Sequence, residues 1–200
     1  MENKDMCQQI NNAFDFMQKM YNEISFMIKE IQGQLAEKEF YLLKPKGYGI
    51  SSRSSTGLDI DQLPLWLLRQ FAVAFTKNVQ NKENKSRTET ELQGNDNLKI
   101  LYFRIILHRD ESSCPQLLFG LIKSIKTKQV KKPFTKFEQI MGHLEYDGGS
   151  IFSKPAKSKY EDKYIEFQYN FQKVNLLDIN SSSDLNDKVI EPSIKMYDKI

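Results

Sequence analysis

The sequence predicts an α+β protein, a single domain over residues 1–200 with a long N-terminal helix packed on an antiparallel sheet of about five strands and a short C-terminal helix. Three observations lead to this class. Residues 1–38 carry apolar side chains at helical spacing, three later regions have β patterns, and residues 181–200 end in a short helical pattern. With 40% hydrophobic and 28% charged residues, the composition is typical of a globular protein.

The N-terminal segment has the clearest pattern. Apolar residues recur at steps of three and four from Ile10 to Ile31, and Met6 extends the series towards the N-terminus. A second apolar row recurs every seven residues from Cys7 to Leu35. This periodicity predicts one helix over residues 1–38, about 50 Å long at 1.5 Å per residue. Such a helix exceeds the face of a small sheet, so we expect part of its stripe to contact a partner.

We predict a partner-binding surface on this helix. Its candidate residues are Met6, Ile10, Phe14, Met17, Tyr21, Ile24 and Ile28. Methionine side chains adapt to irregular apolar surfaces, which suits a contact with a partner helix or groove. The alternative is that the stripe only covers the protein's own sheet.

The β patterns lie in three regions. Residues 98–108 and 115–126 are rich in isoleucine, leucine and aromatic residues around a short polar connection, which predicts a hairpin. Residues 163–177 alternate between apolar and polar side chains, which is typical of a half-buried strand. Residues 59–79 fit either a helix or a strand, and we favour a strand over residues 69–77 after a short turn or helix.

Polar segments separate these elements. Residues 78–97 contain too few apolar side chains to offset the entropy of ordering them, which predicts a long mobile loop. Residues 154–163 are interpreted as a charged loop. Near the C-terminus, Ser183 is the expected cap of a short helix that Pro192 interrupts.

A basic segment gives a second functional hypothesis. No acidic residue lies between Glu111 and Glu138. The lysines of this segment are Lys123, Lys126, Lys128, Lys131, Lys132 and Lys136. They favour a polyanionic partner such as nucleic acid, although no known nucleic-acid-binding motif accompanies them.

Catalytic chemistry ranks third. His143, Glu145 and Asp147 alternate as strand ligands of a metal would, and Asp59 and Asp61 resemble the carboxylate pair of a nuclease or hydrolase. Neither spacing is specific, so no metal, cofactor or catalytic residue is predicted. An enzyme is the less favoured interpretation.

Two distant cysteines, and the lack of a long apolar run, predict a cytoplasmic protein without a membrane segment. We therefore expect a non-catalytic accessory or regulatory binding module. It would assemble through its N-terminal helix with itself or with a protein partner.

Overall fold

The computed structural model describes residues 3–43, 51–52, 70–77, 86–87, 98–107, 114–129, 144 and 158–199. The predicted fold class is confirmed, because one long helix and a short C-terminal helix accompany an antiparallel sheet. Helix α1 spans Asn3–Glu37. The strands are β1 (Tyr41–Leu43), β2 (Ser51–Ser52), β3 (Gln70–Thr76), β4 (Ser86–Arg87), β5 (Ile100–Ile106), β6 (Gln116–Thr127), β7 (Ser158–Glu161) and β8 (Ile165–Asn175). A 3₁₀ turn (Leu176–Asp178), helix α2 (Ser182–Leu185), a π-helical turn (Asn186–Ile190) and helix α3 (Glu191–Asp198) complete the described chain.

The longer strands form an antiparallel sheet in the order β1-β3-β5-β6-β8-β7. The two-residue strand β2 pairs with β3, and β4 pairs with β1 in parallel. The predicted hairpin is confirmed, since β5 pairs with β6 from Ile100–Ile122 to Ile106–Gln116. The strand interpretation of the ambiguous segment is also confirmed over β3.

Both faces of the sheet are apolar at its centre, because alternate residues of each strand point to opposite sides. The helix-side face contacts α1 and the C-terminal helices, and its core includes Val73, Phe75, Leu101, Phe103, Phe119 and Leu121. The far face has its own core, which includes Ile100, Tyr102, Leu118, Ile122, Phe167, Phe171 and Leu144. On that side the buried Arg104 guanidinium donates a 2.6 Å hydrogen bond to the Leu144 carbonyl.

Gly120 is required where three strands meet on the far face. It pairs with Tyr102 on one side and Phe171 on the other. A Cβ atom at this position would lie 2.0 Å from the Asn170 carbonyl oxygen and 2.8 Å from the Phe171 Cα. The absence of a side chain therefore permits the close approach of β8.

A reversal of the chain after α1 leads directly into the sheet. Glu39 adopts a left-handed conformation with φ of 63°, the position where a helix commonly ends. The Phe40 amide donates to the Leu35 carbonyl at 3.0 Å, and the Glu39 amide donates to Ala36 at 3.1 Å. These bonds satisfy the last carbonyls of the helix and turn Phe40 into the core.

The C-terminal helix differs from the prediction in two respects. Ser181, not Ser183, is the cap, because its hydroxyl accepts a 3.0 Å hydrogen bond from the Asp184 amide. Pro192 does not interrupt the helix, since it lies in the first turn of α3, where a missing amide proton is tolerated. Helical structure therefore continues through the π-helical turn to Asp198.

Tyr197 anchors this helix on the rest of the fold. Its ring packs edge-on against Phe40 with centroids 4.9 Å apart, and its hydroxyl accepts a 3.2 Å hydrogen bond from the Lys77 amide. Burial raises the pKa of the Tyr197 hydroxyl above its ordinary value. The chain end is thus docked on the sheet.

The charged loop predicted over residues 154–163 is wrong in part, because Ser158–Glu161 is strand β7 and pairs with β8. Tyr160 stacks on Phe167 with ring centroids 5.0 Å apart, and this contact adds to the pairing with β8 in holding a mostly exposed strand at the sheet edge. Within the predicted mobile loop over residues 78–97, only β4 is described. Residues 59–69 likewise lie outside the described part of the chain.

Candidate interaction surface

Helix α1 carries one apolar stripe with two different environments. In its C-terminal half, Ile24 is 4% exposed and Ile31 is fully buried in the core of the helix-side face. In its N-terminal half, Ile10 is 50% exposed and Phe14 is 72% exposed. A repeat of 3.6 residues places Ile10 on the same side of the helix as Ile24 and Ile31. The stripe that forms the core therefore continues onto a face that the fold leaves open.

The boundary between the two halves lies near Tyr21. Its ring packs edge-on against Phe71, near the start of β3, with centroids 5.8 Å apart. Residues 3–20, which we call the overhang, precede this contact and extend for about 27 Å at 1.5 Å per residue. Met20 still packs against the core, whereas the side chains from Met6 to Phe16 are exposed. The length of the sheet thus decides where the stripe is uncovered.

The middle of the overhang, from Met6 to Gln18, is rich in apolar side chains and poor in charge. Between Met6 and Gln18 the only charged residue is Asp15, and the remaining polar positions are glutamine or asparagine. Phe16, which flanks the stripe, is 67% exposed. Depletion of charge together with methionine and aromatic side chains is characteristic of the centre of protein interfaces.

The seven residues predicted to bind a partner divide between the two environments. Three are exposed on the overhang, namely Met6, Ile10 and Phe14. Met17 and Tyr21 are half-buried at the boundary. The other two, Ile24 and Ile28, lie in the protein's own core. The structure therefore places the open part of the predicted surface in the N-terminal half of the helix.

A groove of about 450 Å³ adjoins the overhang on the flank of α1. Its walls are the helix between Met20 and Glu30 and the chain from Leu176 to Leu185. The Ser182 hydroxyl contacts the Glu30 carboxylate, and this hydrogen bond lowers the pKa of Glu30. Sequence reasoning could not predict this groove, because its two walls are about 150 positions apart along the chain.

The described lysines of the basic segment are largely paired with carboxylates. The Lys126 Nζ lies 3.6 Å from the Glu166 Oε1, and the Lys128 ammonium group contacts the Glu161 carboxylate. The Nζ of Lys159 in β7 lies 2.9 Å from the Glu161 Oε2 and 3.2 Å from the Glu166 Oε1. Hydrogen bonds from Lys128 and then Lys159 lower the pKa of Glu161 to about 2. This network pairs two of the lysines predicted to meet phosphates with carboxylates, while Lys131, Lys132 and Lys136 lie outside the described residues.

Strand β8 does not offer an aromatic surface for nucleic-acid bases. Its aromatic side chains, Phe167, Tyr169 and Phe171, belong to the core of the far face. The positions between them, Gln168 and Asn170, present amides on the helix-side face instead. Single-stranded nucleic acid is commonly held by bases stacked on exposed aromatic rings, and this strand provides none.

The described ranges contain no group of three or more histidine, cysteine, aspartate or glutamate side chains suited to a metal ion. His143, Glu145, Asp147, Asp59 and Asp61 lie outside those ranges. Of the helices that the structure describes, none combines the length and hydropathy needed to cross a bilayer.

Comparison of the chain with protein-family models, with curated proteins and with solved structures finds no match. The geometry of the described residues is therefore the guide to function.

Proposed function

We propose that this protein is a non-catalytic accessory or regulatory binding module that assembles through the overhang of α1, and that a second copy of the chain covers this surface. The supporting observation is the uncovered continuation of the core stripe, in which Ile10 is 50% and Phe14 is 72% exposed. A face this apolar and this poor in charge is stabilised when another apolar surface removes it from water.

The energetics permit a reversible dimer. Full burial of a large apolar side chain contributes about 1.5–3 kcal/mol. Four side chains of the overhang, Met6, Ile10, Phe14 and Phe16, are between 46% and 72% exposed. Each would therefore gain about 1–2 kcal/mol, or about 8–16 kcal/mol for both copies, against an association cost of about 4–15 kcal/mol. Because the gain and the cost are of the same size, the expected dimer is weak and reversible, with a dissociation constant in the micromolar to millimolar range.

The pattern of side-chain sizes favours an antiparallel pair of helices. Along the stripe, the core positions of the overhang are Met6, Ile10, Ala13 and Met17. An antiparallel alignment places Ile10 of one copy opposite Ala13 of the other, and Met6 opposite Met17. Large side chains then face small or flexible ones, which fills the contact. A parallel alignment would instead oppose Ala13 to itself and leave a gap.

The position of the sheet favours the same orientation. The sheet already covers the stripe from about Met20 onwards. A parallel second helix on this face would continue into the space that the sheet occupies. In the antiparallel alignment the second helix ends near Met20 and its own sheet lies at the opposite end. The overhang is then long enough to be covered by one copy of itself.

Light scattering after size-exclusion chromatography tests the proposal. The chain has a mass of 23.4 kDa. The apparent mass is expected to rise towards twice this value as the concentration is raised from about 5 to about 500 μM, the range set by the expected affinity. Phe14→Glu should hold the protein at the monomer mass. Phe26→Glu is the matched control, because Phe26 is 61% exposed on the same helix but away from the stripe.

The outcomes show whether a second copy of the chain binds to the overhang. A wild-type protein that remains at 23.4 kDa over this range overturns self-association. Equal loss of association in both variants places the contact elsewhere than on the stripe. Far-UV circular dichroism of each variant shows whether the fold is retained.

A further inference from the structure

A second concavity lies on the helix-side face of the sheet, away from the overhang. Its volume is about 720 Å³, within the range of small-molecule sites. Strands β6, β8 and β7 form its floor, and the end of α3 forms one wall. The described residues that line it are Leu121, Lys123, Ser158, Lys159, Gln168, Tyr169, Asn170, Gln172, Met196 and Lys199.

Strand register aligns two of these lysines in one row. Lys123 of β6 pairs with Gln168 of β8, and Gln168 pairs in turn with Lys159 of β7. Paired residues of an antiparallel sheet share a face, so the three side chains point to the same side. The two lysines are two strands apart, or about 10 Å between their Cα atoms. The long stem of Lys123 allows its ammonium group to reach an anion above Gln168, whereas the Lys159 ammonium group is paired with Glu161 and Glu166 at the edge of the row.

The charge of the concavity is positive. Lys199 adds a third ammonium group from the end of α3. Within the described part of the chain, Lys123 and Lys199 have no ion pair, and no carboxylate lines the concavity. Lys159 is held by Glu161 and Glu166, which lie beside the row and fix its position.

The remaining lining adds polar and apolar contacts. The amides of Gln168, Asn170 and Gln172 provide both donors and acceptors. Leu121 and Met196 provide an apolar wall. Lysines suit a phosphate group, whereas amides beside an apolar wall suit an attached organic group.

We propose that this concavity binds a small phosphorylated molecule, with its phosphate held by Lys123 and Lys199 and its organic part beside Met196. The site is independent of the overhang, because the two share no residue. Single-stranded nucleic acid is the less suited ligand, since the aromatic side chains of β8 belong to the opposite face.

Isothermal titration calorimetry with inorganic pyrophosphate and with ADP, at low salt, tests this site. Wild-type protein is expected to bind ADP more tightly than pyrophosphate, because the organic part adds contacts. The double variant Lys123→Gln/Lys199→Gln should weaken ADP binding at least tenfold. The matched control is Lys29→Gln/Lys38→Gln, which removes the same charge from exposed positions outside the concavity and should change the affinity less than twofold.

Three results would overturn the proposal. The first is the absence of binding of both probes at millimolar concentration. The second is equal weakening in the two double variants, which would show a net-charge effect without a site. The third is tighter binding of a single-stranded oligothymidylate than of ADP, which would assign the surface to nucleic acid. In the supporting case, the side-chain amide NMR signals of Gln168 and Asn170 shift on addition of ADP and those of Gln8 do not.

Discussion

Two isoleucines on the same face of α1 are expected to respond very differently to the same substitution. Ile31 is fully buried, and Ile10, 21 positions earlier, is 50% exposed. Both are isoleucines on the same side of the same helix. The difference between the two substitutions in the free energy of unfolding therefore reports how much of each side chain the fold covers. Ile31→Ala should strongly destabilise the folded monomer, and Ile10→Ala should not.

The magnitudes follow from burial. Replacing a buried isoleucine with alanine removes its transfer free energy and leaves a cavity, at about 2–5 kcal/mol. Ile31 belongs to the core cluster that also contains residues of the sheet and of the C-terminal helices, and close packing in such a core restricts collapse of the cavity. Ile10 loses only a half-exposed side chain, and alanine recovers up to about 0.7 kcal/mol of helix propensity. The net change in the free energy of unfolding at Ile10 should be below about 1 kcal/mol.

Urea denaturation followed by far-UV circular dichroism measures both values. The measurement should be made at two protein concentrations, about 1 and about 20 μM, so that any contribution of the dimer appears as a concentration dependence of the unfolding midpoint. A loss of more than about 2 kcal/mol for Ile10→Ala, comparable to that of Ile31→Ala, would refute the division of the helix. It would mean that the overhang packs within its own chain.

Three further predictions concern the sheet, the C-terminal helix and the charge network. Gly120→Ala should lower the free energy of unfolding by about 1–3 kcal/mol or more in urea denaturation, because the added Cβ meets the backbone of β8; no change would contradict that close approach. Ser181→Ala should cost about 1 kcal/mol by the same measurement, whereas Ser183→Ala should cost less, since only Ser181 caps α2; the reverse order would contradict this. The carboxyl pKa of Glu161, measured by NMR titration, should be about 2. The ionised carboxylate should stabilise the fold fully above the ordinary pKa of 4.5, and this stabilisation should be lost as the pH falls towards 2. In Lys128→Gln the pKa of Glu161 should rise, and an unchanged value would exclude the ion pair.

The fold class was predictable because its main elements have strong local periodicity. Alternation over β8 predicts which of its side chains face the core, and the apolar steps of α1 do so for the C-terminal half of that helix. The local pattern of residues 59–79 fits a helix or a strand, so the strand could be predicted only as a preference. Its pairing with β5, which is distant along the chain, stabilises β3 as a strand.

The features that sequence reasoning missed depend on contacts distant along the chain. Strand β7 is mostly exposed, and only its pairing with β8 and the contact of Tyr160 with Phe167 define it. The division of α1 into a buried and an open half depends on where the sheet ends, near Phe71. Ser183 was the expected cap of the C-terminal helix, whereas the geometry of the turn places the Ser181 hydroxyl 3.0 Å from the Asp184 amide.

Spin labelling at Cys7 tests the assembly through the overhang most directly. Cys7 and Cys114 are both exposed and free, so Cys114→Ser leaves one label on the overhang. In the antiparallel dimer the two Cys7 Cα atoms should be about 17 Å apart, from nine residues of axial offset and about 10 Å between helices. Double electron–electron resonance at about 500 μM protein, near the expected dissociation constant, is predicted to show a distance of about 15–30 Å between the labels. The absence of any dipolar coupling between copies at this concentration would contradict the account.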